Sequence, residues 1–469
     1  MDTVDKQPRA KHESGAVAQE RDLSPLRPDG TRRRILTGDR TTGKLHLGHW
    51  VGSLKNRVRL QELYDTFILM ADVQALTTHY DRPEVLKESV REVALDYLAA
   101  GLDPEKATIV IQSLVPAIAD LTVYYGLLVP VRSLIDNPTT KAEAEQHGFE
   151  LETRSPDNAV PNELAATVLP ALLGSYSEVG DATIDQVSEA LDKLFHHTPA
   201  AELVQAGIIF DSDAGNPLDA AMSAEGLKFI RDEVIKLRRA KGLTSVSYGF
   251  LGYPVSQAAD ITFVDADLVP VGPDQVPLIE LCREVVDRFN HQYGVGEDIL
   301  RKPQALLGST DLIRGIDGSA KMSKSQGNAV YLSESDEEIW AKLRPAPTDP
   351  QRVRRTDPGR PEMCNIFAYH TVFNGAKEAA IDEAAIGAAS VEEVAYNCSN
   401  AQWGCIDCKK NLALKLTALL DPMRERRAQW AAQPHKVREI LLHGTQRAQK
   451  EGEITLKRVK DAMHMDYFS

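Results

Sequence analysis

Short apolar segments alternate with amphipathic ones near the start of the chain, and this alternation limits the fold more than any other feature. Residues 34–38, 66–71 and 108–112 are short apolar runs bounded by polar residues or glycine, so we predict them to be strands. Residues 47–64 and 83–100 have the apolar periodicity of helices. Strands that alternate with helices imply an α/β fold with a doubly wound parallel sheet.

Residues 151–241 interrupt this alternation. The segment has 8 Lys and Arg against 15 Asp and Glu, and it is rich in Ala, Leu and Pro. We predict a mostly helical, acidic insertion there. The predicted organisation is a disordered tail at 1–30, the first half of a core domain at 31–150, the insertion at 151–241, the second half at 242–335 and a C-terminal helical region at 336–469.

The N-terminal residues also bear on localisation. They are polar, and they have no apolar stretch typical of a secretion signal. No apolar run in the chain approaches the ~20 residues needed to cross a bilayer. We therefore expect a cytoplasmic protein that does not bind membranes.

A loop and helix start suited to an anion follow the first predicted strand. Residues 38–43 form a Thr- and Gly-containing loop, and His46, Gly48 and His49 open the helix. A helix start presents free N–H groups to a phosphate. Glycine at 48 lets a nucleotide approach the backbone, and the two histidines can donate hydrogen bonds to an α-phosphate in its transition state. Histidines on an exposed helix face are the structural alternative.

A second polar motif, at residues 321–328, suits a triphosphate. Lys321 and Lys324 can neutralise charge on a departing pyrophosphate, while Ser323 and Ser325 add hydrogen bonds. An exposed basic loop without a ligand is the alternative interpretation of this motif taken alone.

The two motifs together, H-x-G-H and then K-M-S-K-S, resemble the paired signature of class I aminoacyl-tRNA synthetases. The resemblance implies a Rossmann-type catalytic core that activates an amino acid with ATP and Mg²⁺. It assigns catalytic roles to His46, His49, Lys321 and Lys324. It assigns ATP binding to Arg40, Thr41, Thr42, Gly48, His49, Gly272, Asp274, Leu312, Lys321, Met322, Ser323, Lys324 and Ser325.

Residues 253–261, 268–275 and 288–290 resemble the tryptophan members of this family more than the tyrosine members. Asp260 lies among apolar residues, where a carboxylate needs a hydrogen-bond donor. The indole N–H of tryptophan is such a donor. The resemblance gives Asp260 this role and places Tyr253, Gln257 and Gln275 around the substrate's ammonium and carboxylate. The expected reaction is tryptophan activation and transfer to tRNA(Trp).

Three positions depart from the tryptophan pattern. The first loop has Asp39 and Arg40 where relatives often have Gln-Pro, His49 stands where Asn is frequent, and Gln74 replaces a frequent His. These departures leave the finer ATP and indole contacts open. They are typical of a divergent second bacterial type rather than of another specificity.

Four of the five cysteines are arranged as C-x33-C-x6-C-x2-C: Cys364, Cys398, Cys405 and Cys408. Their spacing suits either Zn²⁺ or a [4Fe–4S] cluster and does not decide between them, and free thiols are the third possibility. The sequence is similar here to some bacterial synthetases that carry an iron–sulfur cluster, and this similarity favours the cluster. Cys282 lies on a helix pattern and is predicted to pack in the core.

The charge distribution points to a nucleic acid in spite of the net charge of −14. Residues 409–460 hold 13 Lys and Arg against 5 Asp and Glu, so they form a candidate tRNA surface or, alternatively, a solvated helix face. The family resemblance further implies a homodimer with tRNA bridging the subunits. Three rival functions remain at this point: a tyrosyl-tRNA synthetase, a small-molecule nucleotidylyltransferase with the same H-x-G-H core, and a non-catalytic paralogue.

Overall fold

A five-stranded parallel sheet forms the centre of the computed structural model, which describes residues 24–146, 246–307, 313–324, 326–378 and 380–467. The strands are β1 (Arg34–Arg40), β2 (Asp65–Ala71), β3 (Ala107–Ile111), β4 (Leu268–Val271) and β5 (Gln304–Leu307). Their order in the sheet is β3-β2-β1-β4-β5, with every pairing parallel. The predicted α/β class with a doubly wound sheet is confirmed.

In the described part of the chain, helices cover the sheet and make up most of the region after residue 336. Those before residue 300 are α1 (Leu47–His49), α2 (Lys55–Leu60), α3 (Asp72–His79), α4 (Glu84–Ala100), α5 (Pro116–Gly126), α6 (Val131–Ile135), α7 (Pro138–Gln146), α8 (Tyr248–Thr262) and α9 (Val276–Tyr293). After residue 330 come α10 (Asp336–Leu343), α11 (Asn365–Val372), α12 (Val391–Ser399), α13 (Cys405–Ala431) and α14 (Pro434–Ala462).

The local predictions match the observed elements closely, with one shortened helix and two missed strands. The helix predicted over 47–64 ends at Leu60 and contains a π-helical segment, Trp50–Leu54, directly after the histidine motif. The apolar position of Tyr64 in the pattern is explained by its packing with Ile35 of β1 and Leu268 of β4, and not by a continuation of the helix. Strands β4 and β5 have only four residues each, too few for a clear apolar pattern.

The C-terminal helices are packed onto the sheet domain. Helix α14 lies along the edge strand β3 so closely that a Cβ on Gly444 would come 2.2 Å from the carbonyl oxygen of Ile109. Glycine is therefore required at this crossing. Leu412 of α13 and Val437 of α14 belong to the same apolar cluster as Ile109 of the sheet. The region after residue 336 therefore shares an apolar core with the region before it. The division proposed at this residue stays a prediction.

The last residues of the predicted tail, 24–30, make contacts that a disordered segment would not make. Arg27 forms an ion pair with Asp267 at 2.7 Å, and Leu26 and Arg32 form a β-bridge. Residues 24–30 are therefore held against the sheet domain, and the boundary proposed at residue 30 stays a prediction. The rest of the tail and the acidic insertion at 151–241 lie outside the described residues. Within the described part of the chain, no helix has the length and apolar character of a membrane span.

Candidate active site

The two sequence motifs meet at the carboxyl end of β1. The amide of Leu47 donates to the carbonyl oxygen of Val330 at 2.9 Å, and the amide of Leu332 donates to that of Leu45 at 3.0 Å. The Lys324 ammonium donates to the carbonyl oxygen of Gly43 at 2.7 Å. Residues as far apart in the sequence as Gly43 and Lys324, which are 281 positions apart, are thereby brought into one site, as the motif pair predicts.

Backbone amides fix the tautomers of the two histidines. His46 Nδ1 accepts a hydrogen bond from the Gly48 amide at 3.1 Å, and His49 Nδ1 accepts one from the His46 amide at 3.2 Å. A ring nitrogen that accepts carries no proton, so a neutral ring carries its proton on Nε2. A Cβ on Gly48 would lie 2.9 Å from the His46 ring, so this glycine also makes room for the histidine.

Both histidines are neutral in this environment. Burial lowers the pKa of His46 to about 2, helped by the nearby His49 and Lys324. Burial also lowers the pKa of His49 to about 4, although Asp39 acts in the opposite direction. The pair therefore offers two Nε2–H donors rather than two positive charges to a ligand at neutral pH.

The lysine loop is held by residues on both sides of it. Met322 is buried in the main apolar cluster, and the amide of Ser323 donates to the side-chain oxygen of Asn328 at 2.7 Å. The Asn328 amide nitrogen donates in turn to the Lys321 carbonyl oxygen. Lys321 is exposed, while burial lowers the pKa of Lys324 to about 8. Asn328 was missed as a positioning residue, although it stands four residues after Lys324 in the motif.

Two residues predicted to bind ATP, Leu312 and Ser325, lie outside the described residues. Their roles stay predictions.

A buried ion pair accounts for the unusual Asp39 of the first loop. Both oxygens of Asp39 accept from the Arg57 guanidinium, at 2.5 and 3.2 Å, and Tyr97 donates to Asp39 at 2.7 Å. Arg57 also donates to the carbonyl oxygen of Gly38 at 3.0 Å. Burial acts to raise the pKa of Asp39, but Arg57 outweighs it and lowers that pKa below its usual range. Asp39 lies at the end of β1 rather than in the predicted loop, and side chains from α2 and α4 hold it there, which the spacing of residues did not reveal.

Helix α8 presents the predicted amino-acid pocket on one face. Tyr253, Gln257 and Asp260 stand at i, i+4 and i+7, the spacing of one helix face. Asp260 is buried, and its oxygens accept from the Gln112 amide at 2.8 and 3.0 Å and from the Gln74 amide at 3.1 Å. The substituted Gln74 therefore touches the proposed indole acceptor directly, and Gln112 is a second contact that sequence reasoning missed.

Burial also changes the acidity of the Asp260 carboxyl. Burial raises its pKa to about 7, partly offset by the hydrogen bond from Gln112. A carboxylate that is costly to ionise binds any additional donor more readily. The Tyr253 hydroxyl is also buried and lies near the Thr140 and Glu143 side chains, but it makes no hydrogen bond of good geometry within the described part of the chain. Burial and the nearby Glu143 raise the pKa of that phenol.

Helix α7 forms the remaining wall, which the sequence did not predict. The Thr139 hydroxyl donates to the carbonyl oxygen of Asp274 at 2.7 Å, which holds the turn containing Gln275. Glu143, one turn further along, faces Arg40 across 3.9 Å.

The remaining residues with predicted ATP roles occupy the same region or adjacent turns. Thr41 is fully buried, and its hydroxyl has no partner among the described residues. The amide of Thr42 donates to the Arg40 carbonyl oxygen. Gly272 caps the turn that contains Asp274.

Comparison with known proteins identifies the family. The chain matches the family described as tRNA synthetases class I (W and Y) over residues 29–148 and 228–421. The tryptophan–tRNA ligase of Aquifex aeolicus is 35% identical over 435 residues, which are 92% of this chain and 100% of that protein. The chain belongs to the class I tRNA synthetases of the tryptophan and tyrosine type. The tryptophan–tRNA ligase of Clostridium longisporum is 36% identical over 439 residues, 93% of this chain and 98% of that protein.

A solved structure supports the same fold for this class I synthetase. Tryptophanyl-tRNA synthetase from Campylobacter jejuni, complexed with ADP and tryptophan, matches it with a TM-score of 0.62 at 22% identity. The match covers 92% of this chain and 99% of that one. The predicted Rossmann-type fold is therefore confirmed.

The four cysteines lie near one another but do not fit a metal centre as they are arranged. Burial, followed by the charges of Cys364, Cys398 and Cys405, raises the pKa of Cys408 to about 12. Arg352 lies 3.7 Å from the Cys398 sulfur. Among the described residues, which include all four cysteines, no group of three or more His, Cys, Asp or Glu side chains is placed to hold a metal ion. Cys282 is buried in the core, as predicted.

Most of the basic surplus in residues 409–460 is used inside the chain. Arg447 pairs with Asp65 at 2.8 Å, and Arg458 pairs with Asp265 at 2.7 Å. Seven of the 13 basic residues form such ion pairs: Lys415, Arg424, Arg427, Arg447, Lys457, Arg458 and Lys460. Much of the positive charge that predicted a tRNA surface therefore forms ion pairs within the C-terminal region and between that region and the sheet domain.

Proposed function

We propose that this class I synthetase is a tryptophan–tRNA ligase, which activates L-tryptophan with ATP and transfers it to tRNA(Trp). The observation that carries the specificity is the buried carboxylate of Asp260, supplied with donors only by Gln112 and Gln74 among the described residues. Tryptophan offers a further N–H donor with no acceptor of its own. The relatives that match nearly the whole chain are named tryptophan–tRNA ligases.

In the proposed activation step, the tryptophan carboxylate attacks the α-phosphate of ATP and releases pyrophosphate. The Nε2–H groups of His46 and His49 donate to the phosphate oxygens as charge develops there. Lys324, released from the Gly43 carbonyl oxygen, and Lys321 neutralise the pyrophosphate. Mg²⁺ travels with ATP as part of the substrate. These groups act by charge and position, without taking a proton from the substrate.

The specificity is tested by amino-acid-dependent pyrophosphate exchange. We expect exchange with tryptophan and little with tyrosine at equal concentrations. Exchange that depends on tyrosine would favour the tyrosyl enzyme instead. Exchange with neither, together with no charging of tRNA, would favour a small-molecule nucleotidylyltransferase.

An exposed apolar patch supports the proposed homodimer. Val123 of α5, Leu127 directly after α5, Val131 of α6 and Tyr248 of α8 have exposed fractions of 63%, 72%, 59% and 81%. A Cβ on Gly126 would lie 3.8 Å from the Tyr248 hydroxyl, so the patch is continuous from α5 to α8. A contiguous patch of this kind is typical of a protein interface. Light scattering should show a dimer for the wild type and a monomer for Leu127→Asp.

Binding of tRNA by the C-terminal region remains part of the proposal. Among the exposed basic residues of α13 and α14, Lys410, Arg438 and Lys450 form neither an ion pair nor a ring contact within the described part of the chain, whereas Lys436 lies over the Trp430 ring. They are therefore the candidates for phosphate contacts. Replacing all three with Gln should raise the KM for tRNA(Trp) and reduce its salt dependence, with pyrophosphate exchange unchanged.

The proposed mechanism uses no metal at the four cysteines. An iron–sulfur cluster or Zn²⁺ stays a prediction of their spacing, which the arrangement of the thiols does not support. Iron, sulfide and zinc analysis of anaerobically purified protein tests it, and a colourless preparation free of both metals would refute it.

A further inference from the structure

A buried acidic pair on α4 lies between the first ATP-binding motif and the C-terminal helix α13. Asp96 is fully buried, and its Oδ2 accepts from the amide of Leu45 at 2.7 Å, immediately before His46. Glu92, one helical turn earlier, lies 3.8 Å from the Lys44 ammonium. Both residues that precede the histidine turn are thus attached to this acidic pair.

A single arginine holds the other side of the pair. Arg427 of α13 donates through Nε to Asp96 at 2.8 Å and through Nη2 to Glu92 at 2.6 Å. Its side chain is only 17% exposed, so both contacts are shielded from water. The arginine fork matches two carboxylates at once, a geometry that lysine does not reproduce.

The position of the pair makes its neutralisation important for the nucleotide. Two carboxylates beneath a site that binds a triphosphate would repel that ligand if they had no counter-ion. Asp96 also lies close enough to Lys324 to oppose, together with Asp39, the burial that lowers the pKa of that lysine. Without Arg427, the Asp96 charge would compete with ATP for the ammonium.

We propose that Arg427 is a positioning residue for ATP, which fixes the Leu45 amide through Asp96 and neutralises Glu92 and Asp96 beneath the triphosphate. The inference rests on the proposed function and deepens it. The C-terminal helical region, in which the tRNA contacts are proposed, is thereby part of the support of the ATP site. Binding at one can then affect the other through α13 and α4.

Calorimetric titration with ATP and Mg²⁺, without amino acid, tests this directly. We expect Arg427→Met to weaken ATP binding by about tenfold, since a buried charge-assisted contact supports the loop. In pyrophosphate exchange the KM for ATP should rise by a similar factor, with the KM for tryptophan unchanged. The ATP affinity of Arg427→Lys should lie between those of Arg427→Met and the wild type. Adding Glu92→Gln to Arg427→Met should recover part of the lost ATP affinity.

Arg424 provides the matched control. It lies on the same helix, is 19% exposed, pairs with Asp336 and Asp421 and donates to the Glu334 carbonyl oxygen, with no hydrogen bond to Glu92 or Asp96. We expect Arg424→Met to lower thermal stability but leave ATP binding unchanged.

Three outcomes would overturn the inference: equal ATP affinity in Arg427→Met and wild type, equal losses in Arg427→Met and Arg424→Met, or no recovery with Glu92→Gln. If Arg427→Met does not fold, titration of the folded Arg427→Lys decides, and wild-type affinity there refutes the role. A wild type that binds no ATP would instead contradict the proposed function.

Discussion

Replacing Asp260 with Asn separates the stability of the protein from its specificity. Gln112 donates to both carboxylate oxygens and Gln74 to one of them. Asparagine would replace one acceptor oxygen with an NH₂ donor, which leaves no free acceptor for an indole N–H. Loss of a hydrogen bond to a charged group costs about 1.5–3 kcal/mol, which corresponds to a decrease of about 10- to 150-fold in kcat/KM for tryptophan.

The effect on stability should have the opposite sign. The pKa of Asp260 is raised from 3.8 to about 7, so the folded protein binds this proton more tightly than the unfolded chain. The stabilising contribution is therefore complete below pH 3.8 and is lost as the pH rises through about 7. Asparagine has no ionised form. The Tm of Asp260→Asn relative to wild type should therefore rise between about pH 5 and about pH 8. Calorimetry of both proteins at one pH below neutrality and one above it measures this change.

The assay is pyrophosphate exchange with tryptophan, tyrosine and phenylalanine at pH 7.5. Asp265→Asn is the control for removing one negative charge, because Asp265 pairs with Arg458 away from the pocket. Asp265 has a φ of 51°, a conformation that asparagine tolerates. We expect only Asp260→Asn to lose its preference for tryptophan. An Asp260→Asn enzyme with wild-type discrimination would refute the role of this carboxylate.

Three further predictions follow from the same site. The kcat/KM for tryptophan should rise with pH near 7, as Asp260 ionises, and fall near 8, as Lys324 loses its proton. His46 and His49 should make no contribution above about pH 5. An acid limb that persists in Asp260→Asn would contradict this. Lys324→Met should lower kcat by about 10²–10³-fold without lowering the Tm, because it removes a desolvated cation; kinetics and thermal unfolding test both parts. Tyr253→Phe should raise the KM for tryptophan while unfolding at the same or a higher temperature, since the buried hydroxyl has no partner among the described residues; an unchanged KM would exclude it from the substrate contacts.

Local patterns in the sequence were sufficient for the first three strands of the sheet, the two motifs and the proposed indole acceptor. The first three strands are continuous apolar runs because parallel strands are covered on both faces. The histidine turn requires Gly48 and the two histidines at fixed spacing, which is visible in one short stretch of chain. Asp260 was recognisable because a carboxylate among apolar residues must have a partner.

Only the tertiary structure decided which partners these groups have. Gln112 and Asp260 are 148 positions apart, and Arg427 and Asp96 are 331 apart, so no local pattern relates them. The basic surplus after residue 409 predicted a nucleic-acid surface, yet Arg427, Arg447 and others bind carboxylates of the same chain. Composition gives the number of charges, whereas packing determines which of them still face solvent.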